Sequence, residues 1–194
     1  MGKADQVKES IMETTIELLK KSGGNINTIT IRDIATLSGV GTGLINYHFG
    51  TKDHLIELCV QRIISNVISA FRPRIDRDMT AEEKLKETAK QVVDFLMANP
   101  EISKISILGD MVAPKLTDNT MKTVSGFMAT VSSGKNGRSE NIKLLTYCFT
   151  LILQGVFLRK DSTGDSVGFD FNRKKDRDTF IDFIIERLYE GELS

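Results

Sequence analysis

Candidate functional groups are concentrated in one stretch of this chain, between residues 28 and 52. Hydroxyl, amide, phenol, imidazole and ammonium groups occur there beside small and apolar residues. The candidates are Thr28, Thr30, Thr42, Gly43, Leu44, Asn46, Tyr47, His48 and Lys52. Side chains of these types donate hydrogen bonds or touch apolar edges, and the mixture suits a surface that enters a groove better than it suits a protein core.

Two short helices and the start of a third must position these groups. Thr30 can cap the first helix, because its hydroxyl can accept from an early helical N–H while Asp33 lies three residues further on. Ile31, Ile34 and Leu37 recur at helical spacing, and we expect them to mark one face of this helix.

A glycine turn follows the first helix. Gly39 tolerates the positive φ that such a turn requires, and Ala35 is small enough for two helices to cross beside it. Val40 and Ile45 are apolar and should face the core. This spacing predicts a helix-turn-helix whose second helix turns most of residues 42–48 outward.

The run GVGTGLINYHFGTKDHL resembles the signature of the TetR family of bacterial transcriptional repressors. In that family a Gly-Val turn, a short recognition helix, a Tyr/His-Phe pair and a Lys at the next helix start recur in this order. The similarity covers roughly Val7 to Leu58; beyond it, only the length and the helical pattern agree. Two residues depart from the pattern: Gly41 lacks the capping hydroxyl common in the family, and Asn46 replaces an aromatic residue and so changes a candidate phosphate contact.

The resemblance implies an all-α protein with two domains. Residues 1–55 would form a three-helix helix-turn-helix DNA-binding domain, and residues 56–194 a larger helical ligand-binding and dimerisation domain. It also implies a homodimer that pairs through its last two helices, at about residues 140–160 and 174–190. Such a dimer would repress an inverted-repeat operator in double-stranded DNA and be released by a small-molecule effector.

Docking of a helix-turn-helix divides the candidate residues by role. Thr42, Gly43 and Leu44 lie in the N-terminal half of the recognition helix, which enters the major groove deepest, so they are candidates for base-edge contact. Tyr47, His48 and Lys52 are better placed for phosphates, as are Thr28 and Thr30. Thr30 could equally be a plain helix cap, Lys52 a solvated lysine, and Tyr47 and His48 could pack between helices.

Composition gives no electrostatic argument for DNA. The chain carries 26 basic and 26 acidic residues, so its formal net charge is zero. Residues 1–55 are balanced as well, whereas nucleic-acid binders usually carry a basic surplus. The case for DNA therefore depends on geometry.

A ligand cavity among the middle helices is implied by the resemblance. Its candidate residues mix adaptable apolar groups with a few polar ones, as pockets do: Phe95, Met111, Phe127, Met128, Val131, Tyr147 and Gln154. The alternative for each is ordinary core packing. Gln154 is the most informative, because an amide in an apolar helix needs a partner, which could be a ligand, a water molecule or a backbone carbonyl.

Apolar periodicity predicts the remaining helices. They are expected at residues 5–21, 51–72, 80–98, 102–108, 116–132, 140–160 and 174–190, with a loop at 161–172. The apolar run 144–158 contains Thr146, Thr150 and Gln154 and is shorter than a membrane span, so we expect a cytoplasmic protein with no membrane partner.

The sequence offers no positive sign of catalysis, metal or cofactor. Cys59 and Cys148 have no CxxC or Cys/His companion and are expected to be reduced core thiols. The two histidines, His48 and His54, belong to no HExxH, nucleophile elbow or phosphate loop. The alternative hypothesis is a helical small-molecule carrier or enzyme whose helix-turn-helix serves protein contact, and DNA affinity would discriminate between the two.

Overall fold

The computed structural model describes residues 2–23, 25–70, 76, 78–131 and 140–193. Within these ranges the regular structure is entirely helical, as predicted. The helices are α1 (Lys3–Lys21), α2 (Ile31–Ser38), α3 (Thr42–Phe49), α4 (Lys52–Ala70), α5 (Ala81–Ala98), α6 (Pro100–Val112), α7 (Asn119–Val131), α8 (Glu140–Leu158), α9 (Thr163–Val167) and α10 (Lys174–Leu188). The predicted end of the fourth helix, at residues 72–73, lies outside the described residues.

Local sequence signals explain most helix ends. Thr80 caps α5 in a reciprocal box, in which its hydroxyl accepts from the Glu83 N–H at 3.2 Å and the Glu83 carboxylate accepts from the Thr80 N–H at 2.7 Å. Pro100 occupies the first position of α6, where its missing N–H costs nothing. The helix predicted at 102–108 continues to Val112, because Gly109 is accommodated in its interior.

The predicted loop at 161–172 was wrong in part. A single 3₁₀ turn at Lys160–Ser162 and the short helix α9 occupy its first half. Thr163 begins α9 and its hydroxyl accepts from the Phe171 N–H at 3.2 Å, which fixes the return of the chain toward α10. Gly164 lies inside α9. Gly168 ends that helix with φ of 76°.

The described helices fall into two compact units. The first comprises Met1–Phe71 and Pro100–Ala113, so it contains α1 to α4 and α6. Its core is built from apolar side chains of all five helices, among them Ile11, Ile34, Ile45, Leu55 and Ile102. The first compact unit therefore includes α4 and α6 as well as the helix-turn-helix. The division into a DNA-binding domain at 1–55 and a ligand-binding domain at 56–194 stays a prediction.

Cys59 lies within this first core. Burial raises the pKa of its thiol to about 12, and the Sγ donates to the Met12 carbonyl at 3.6 Å. Beside it, Arg62 of α4 forms an ion pair with Glu9 of α1 at 2.8 Å. The second cysteine, Cys148, is half-buried in α8, and both thiols are unoxidised.

The second unit comprises Arg72–Asn99 and Pro114–Ser194. Its core contains the tilted ring pair of Phe127 and Phe149, whose centroids are 5.4 Å apart. Tyr189 packs on Phe149 and donates its hydroxyl to Thr146 at 3.0 Å. Burial raises the pKa of the Tyr189 phenol to about 12.

Ion pairs join α5 to α10 in this unit. Asp94 of α5 accepts from Lys174 at 2.6 Å and from Arg177 at 3.0 Å. The buried Arg177 also donates to the carbonyls of Phe171 and Asn172, so it ties α10 to the preceding connection. Two further pairs, Lys86–Glu186 and Lys90–Asp182, extend the series along the same two helices.

The apolar part of helix α8 extends beyond the run 144–158 considered from the sequence. Residues Asn141–Leu158 form an 18-residue run that is long and apolar enough to cross a membrane by length and composition, so the prediction that the run is too short was wrong. Thr146, Thr150 and Gln154 are nevertheless buried within the unit. Thr146 and Thr150 donate to carbonyls one turn back, at 2.7 and 2.9 Å, and Gln154 bonds to α7.

Candidate nucleic-acid interface

The start of α2 is fixed by a closed set of hydrogen bonds. The Thr30 hydroxyl accepts from the Asp33 N–H at 3.1 Å, and the Asp33 carboxylate accepts from the Thr30 N–H at 3.0 Å and from its hydroxyl at 2.7 Å. These bonds from Thr30 hold the pKa of Asp33 below its usual value. The cap expected of Thr30 is confirmed, and its donors are engaged, so the phosphate contact stays a prediction.

The connection before α2 is also ordered internally. A 3₁₀ turn at Ile26–Thr28 is capped by Asn25, whose side-chain oxygen accepts from the Asn27 N–H at 3.1 Å. The Thr28 hydroxyl donates to the Asn25 carbonyl at 2.7 Å. Thr28 is exposed, but its hydroxyl proton is used within the turn.

The turn between α2 and α3 has the predicted glycine geometry. Gly39 ends α2 with φ of 69°, in the left-handed region that favours glycine. The Val40 N–H donates to the Ala35 carbonyl at 3.0 Å, which closes the turn. Gly41 begins α3 without a side-chain cap, as its lack of a hydroxyl predicted.

Helix α3 divides cleanly into a buried and an exposed face. Ile45 and Phe49 are fully buried in the first core. The Lys8 ammonium lies 5.8 Å from the Phe49 ring centroid and covers its outer side. These contacts fix the rotation of α3 about its axis and so decide which residues face solvent.

The exposed face of α3 contains five of the nine residues predicted for DNA contact. Thr42, Gly43 and Asn46 are exposed, Leu44 is 38% exposed and Tyr47 is 82% exposed. His48 is half-buried, with its ring 5.2 Å from that of Tyr47 in an edge-to-face arrangement. Packing of Tyr47 between helices is therefore ruled out by its exposure, whereas His48 is partly packed.

Lys52 has a role that the sequence did not indicate. Its ammonium group folds back and donates to the carbonyls of Ile26 and Ile29, at 3.2 and 3.1 Å. Lys52 therefore ties the first turn of α4 to the connection before α2, and the alternative of a simply solvated lysine was wrong. An ammonium has three N–H donors, so one remains for a phosphate, and that contact stays a prediction.

A helix cap lies beside Lys52. The Thr51 hydroxyl accepts from the His54 N–H at 3.1 Å and caps α4. Leu37, by contrast, was expected on the same face of α2 as the buried Ile34 and is 63% exposed. Each step of three residues falls about 60° short of a full turn, so the face marked by Ile31 and Ile34 has rotated into solvent by Leu37.

The residues predicted for the ligand cavity are divided between the two units. Met111 lies in the first unit, whereas the other six lie in the second. Phe127 and Val131 are buried, Phe95 and Met128 are half-buried, and Tyr147 is exposed. Their ligand role stays a prediction.

Gln154 finds its partner in another side chain. Its amide Nε2 donates to the Thr120 hydroxyl of α7 at 3.0 Å, and both groups are buried. The partner in the structure is thus a side chain and not the backbone carbonyl considered from the sequence. Thr120 lies near the start of α7, and no linear pattern links it to Gln154.

No group of three His, Cys, Asp or Glu side chains in the described ranges is arranged to hold a metal ion. Of the candidate residues that are exposed, five lie together on α3.

Residues 11–59 match the sequence model of a family described as bacterial regulatory proteins, tetR family. These residues span α2, α3 and most of α1, together with the start of α4. A search of curated proteins gives no match.

Solved structures with the same fold are transcriptional regulators. A TetR-like regulator from Rhodococcus sp. RHA1 superposes with a TM-score of 0.64 at 12% identity, covering 95% of this chain and 96% of that one. A TetR transcriptional regulator from the same organism gives 0.65 at 13% identity, with 98% of each chain covered. A tetR-family regulator from Streptomyces coelicolor gives 0.66 at 14% identity, covering 97% of this chain and 80% of that one.

The helix-turn-helix at residues 11–59 thus matches the tetR family of bacterial regulatory proteins in sequence. The chain as a whole has the fold of TetR-like transcriptional regulators.

Proposed function

We propose that this protein is a cytoplasmic, homodimeric repressor that binds an inverted-repeat DNA operator and is released by a small-molecule effector. The observation that carries the proposal is the solvent-facing side of α3, held in a tetR-family helix-turn-helix by its buried Ile45 and Phe49. Residues Thr42, Gly43 and Leu44 would contact base edges, and Asn46 would contact DNA from the same exposed face. Tyr47, His48, Thr28, Thr30 and Lys52 would contact phosphates or fix the register.

The dimer is supported by apolar surface on the two last long helices, which pack against each other in the second unit. Leu144 of α8 is 63% exposed and Phe183 of α10 is 52% exposed. Leu144, Cys148, Leu151 and Gly155 recur at helical spacing as a stripe that its own unit does not cover completely. A partner copy would bury this stripe in a four-helix interface, which also gives an apolar α8 a use other than a membrane.

A dimer gives a mechanism for regulation. Two recognition helices must lie about 34 to 36 Å apart, or at a multiple of the helical turn, to enter successive major grooves. An effector that binds better to a dimer with another spacing lowers operator affinity by its difference in binding free energy. The repressed gene is then released without any covalent chemistry.

The test is selection of bound duplexes from a random DNA library with the purified chain, paired with light scattering to measure its mass. The proposal expects an inverted repeat and a dimer. A dimer that selects no inverted repeat would favour the alternative, a helical carrier or enzyme whose helix-turn-helix contacts protein. A screen of small organic compounds by thermal shift, followed by DNA binding with each hit, tests release by an effector.

A further inference from the structure

The side-chain types of the recognition helix α3 limit the bases that it can contact. Its residues, TGLINYHF, include no lysine, arginine, aspartate or glutamate. The commonest specific contact in the major groove is a bidentate bond from arginine or lysine to the O6 and N7 atoms of guanine, and α3 has no side chain that can make it.

The exposed groups of α3 match the A·T base pair. Leu44 and the methyl group of Thr42 are exposed and can touch the C5 methyl of thymine. Asn46 is exposed and can pair with the N6 and N7 atoms of adenine in a bidentate arrangement. Carboxylates that would accept from the N4 amine of cytosine are missing from the same helix.

Gly43 allows these groups to reach the bases. A Cβ atom added at this position would meet nothing within 4 Å, so the surface above the helix backbone is open. The absence of a side chain there lets the backbone of α3 lie closer to the groove floor than a larger residue would.

We infer that the operator positions facing α3 are A·T pairs, read through thymine methyl groups and adenine edges and not through guanine. This inference rests on the proposed DNA-binding function and specifies the base pairs of that same site. Because the discriminating groups are uncharged, the ratio of specific to non-specific affinity should stay constant with salt, although both affinities fall.

The test replaces thymine by deoxyuridine at single operator positions, which removes the C5 methyl and nothing else. The operator is first selected from a random library with the full chain. We expect a loss of about fourfold for each contacted thymine, on the order of the transfer free energy of one buried methyl group. For Leu44→Ala, affinity for the thymine and deoxyuridine operators should become equal at the position that Leu44 contacts.

Leu37→Ala is the matched control, since Leu37 is an exposed leucine on the neighbouring helix α2. It should retain the preference for thymine over deoxyuridine. A selected operator with G·C pairs in the recognition-helix positions, or A·T positions that are all insensitive to loss of the methyl, would overturn the inference while leaving DNA binding intact. A protein that selects no DNA at all would instead overturn the proposed function.

Discussion

Gly43→Ala separates the folding of α3 from its contact with DNA. The added methyl group would meet no protein atom within 4 Å, and the residue has a helical backbone. Alanine loses less backbone entropy on folding than glycine, so we expect the free energy of unfolding to rise by up to about 1 kcal/mol. Any loss of DNA affinity in this variant must then arise at the interface.

The expected effect on DNA binding has the opposite sign. If the α3 backbone approaches the bases at Gly43, the new methyl group occupies that space and displaces the helix. Loss of one good base contact costs about 1 to 3 kcal/mol, which corresponds to a weakening of about 5-fold to 150-fold. The variant should therefore be more stable and bind its operator less tightly.

Two measurements on the same preparation check this prediction: denaturant unfolding gives the stability, and fluorescence anisotropy with a labelled operator gives the affinity. Gly109→Ala is the control, because Gly109 lies within helix α6 and an added Cβ there also meets nothing within 4 Å. It should stabilise the protein without changing operator affinity. A Gly43→Ala protein that binds as tightly as the parent would refute close approach of the α3 backbone to DNA.

Four further outcomes are expected. Lys52→Met should lower the free energy of unfolding by about 1 to 2 kcal/mol, because two hydrogen bonds to carbonyls are lost. Unchanged stability in urea would show that the hydrogen bonds of Lys52 to Ile26 and Ile29 do not stabilise the fold. Thr120→Val should cost about 1 to 3 kcal/mol by depriving the buried Gln154 amide of its partner, and adding Gln154→Leu should recover much of this in the same urea assay. Burial raises the pKa of Asp94, but bonds from its two cationic partners outweigh this and hold it low. The ionised pair should therefore stabilise the fold above the ordinary carboxyl pKa and cease to do so as pH falls through the lowered value, and Asp94→Asn should flatten that acid loss in thermal melts. Leu144→Glu should convert the dimer to a monomer in light scattering, whereas an unchanged mass would place the interface elsewhere.

Local signals in the sequence predicted the helix-turn-helix well. Thr30 and Asp33 form the reciprocal cap that their spacing indicated. Gly39 adopts the positive φ expected of the turn. Such features depend on residues three or four positions apart, so a linear pattern is enough to identify them.

Long-range contacts could not be predicted in the same way. The acceptors of Lys52 lie 26 and 23 residues away, and they are main-chain atoms that carry no sequence signal. The partner of Gln154 lies 34 residues away on another helix. Leu37 was misplaced for a different reason, because a face defined by steps of three residues drifts around a helix and fails over its full length.

The Lys52 ammonium donates to main-chain carbonyl oxygens, which every residue type possesses. Residues 26 and 29 can therefore diverge freely without breaking the tether, provided that the backbone keeps its path, whereas a single change at position 52 breaks it at once. Any rotation of α4 about its axis would pull directly on the main chain that leads into α2. The side chains of this connection can thus change during evolution while its hydrogen bonds to α4 are preserved.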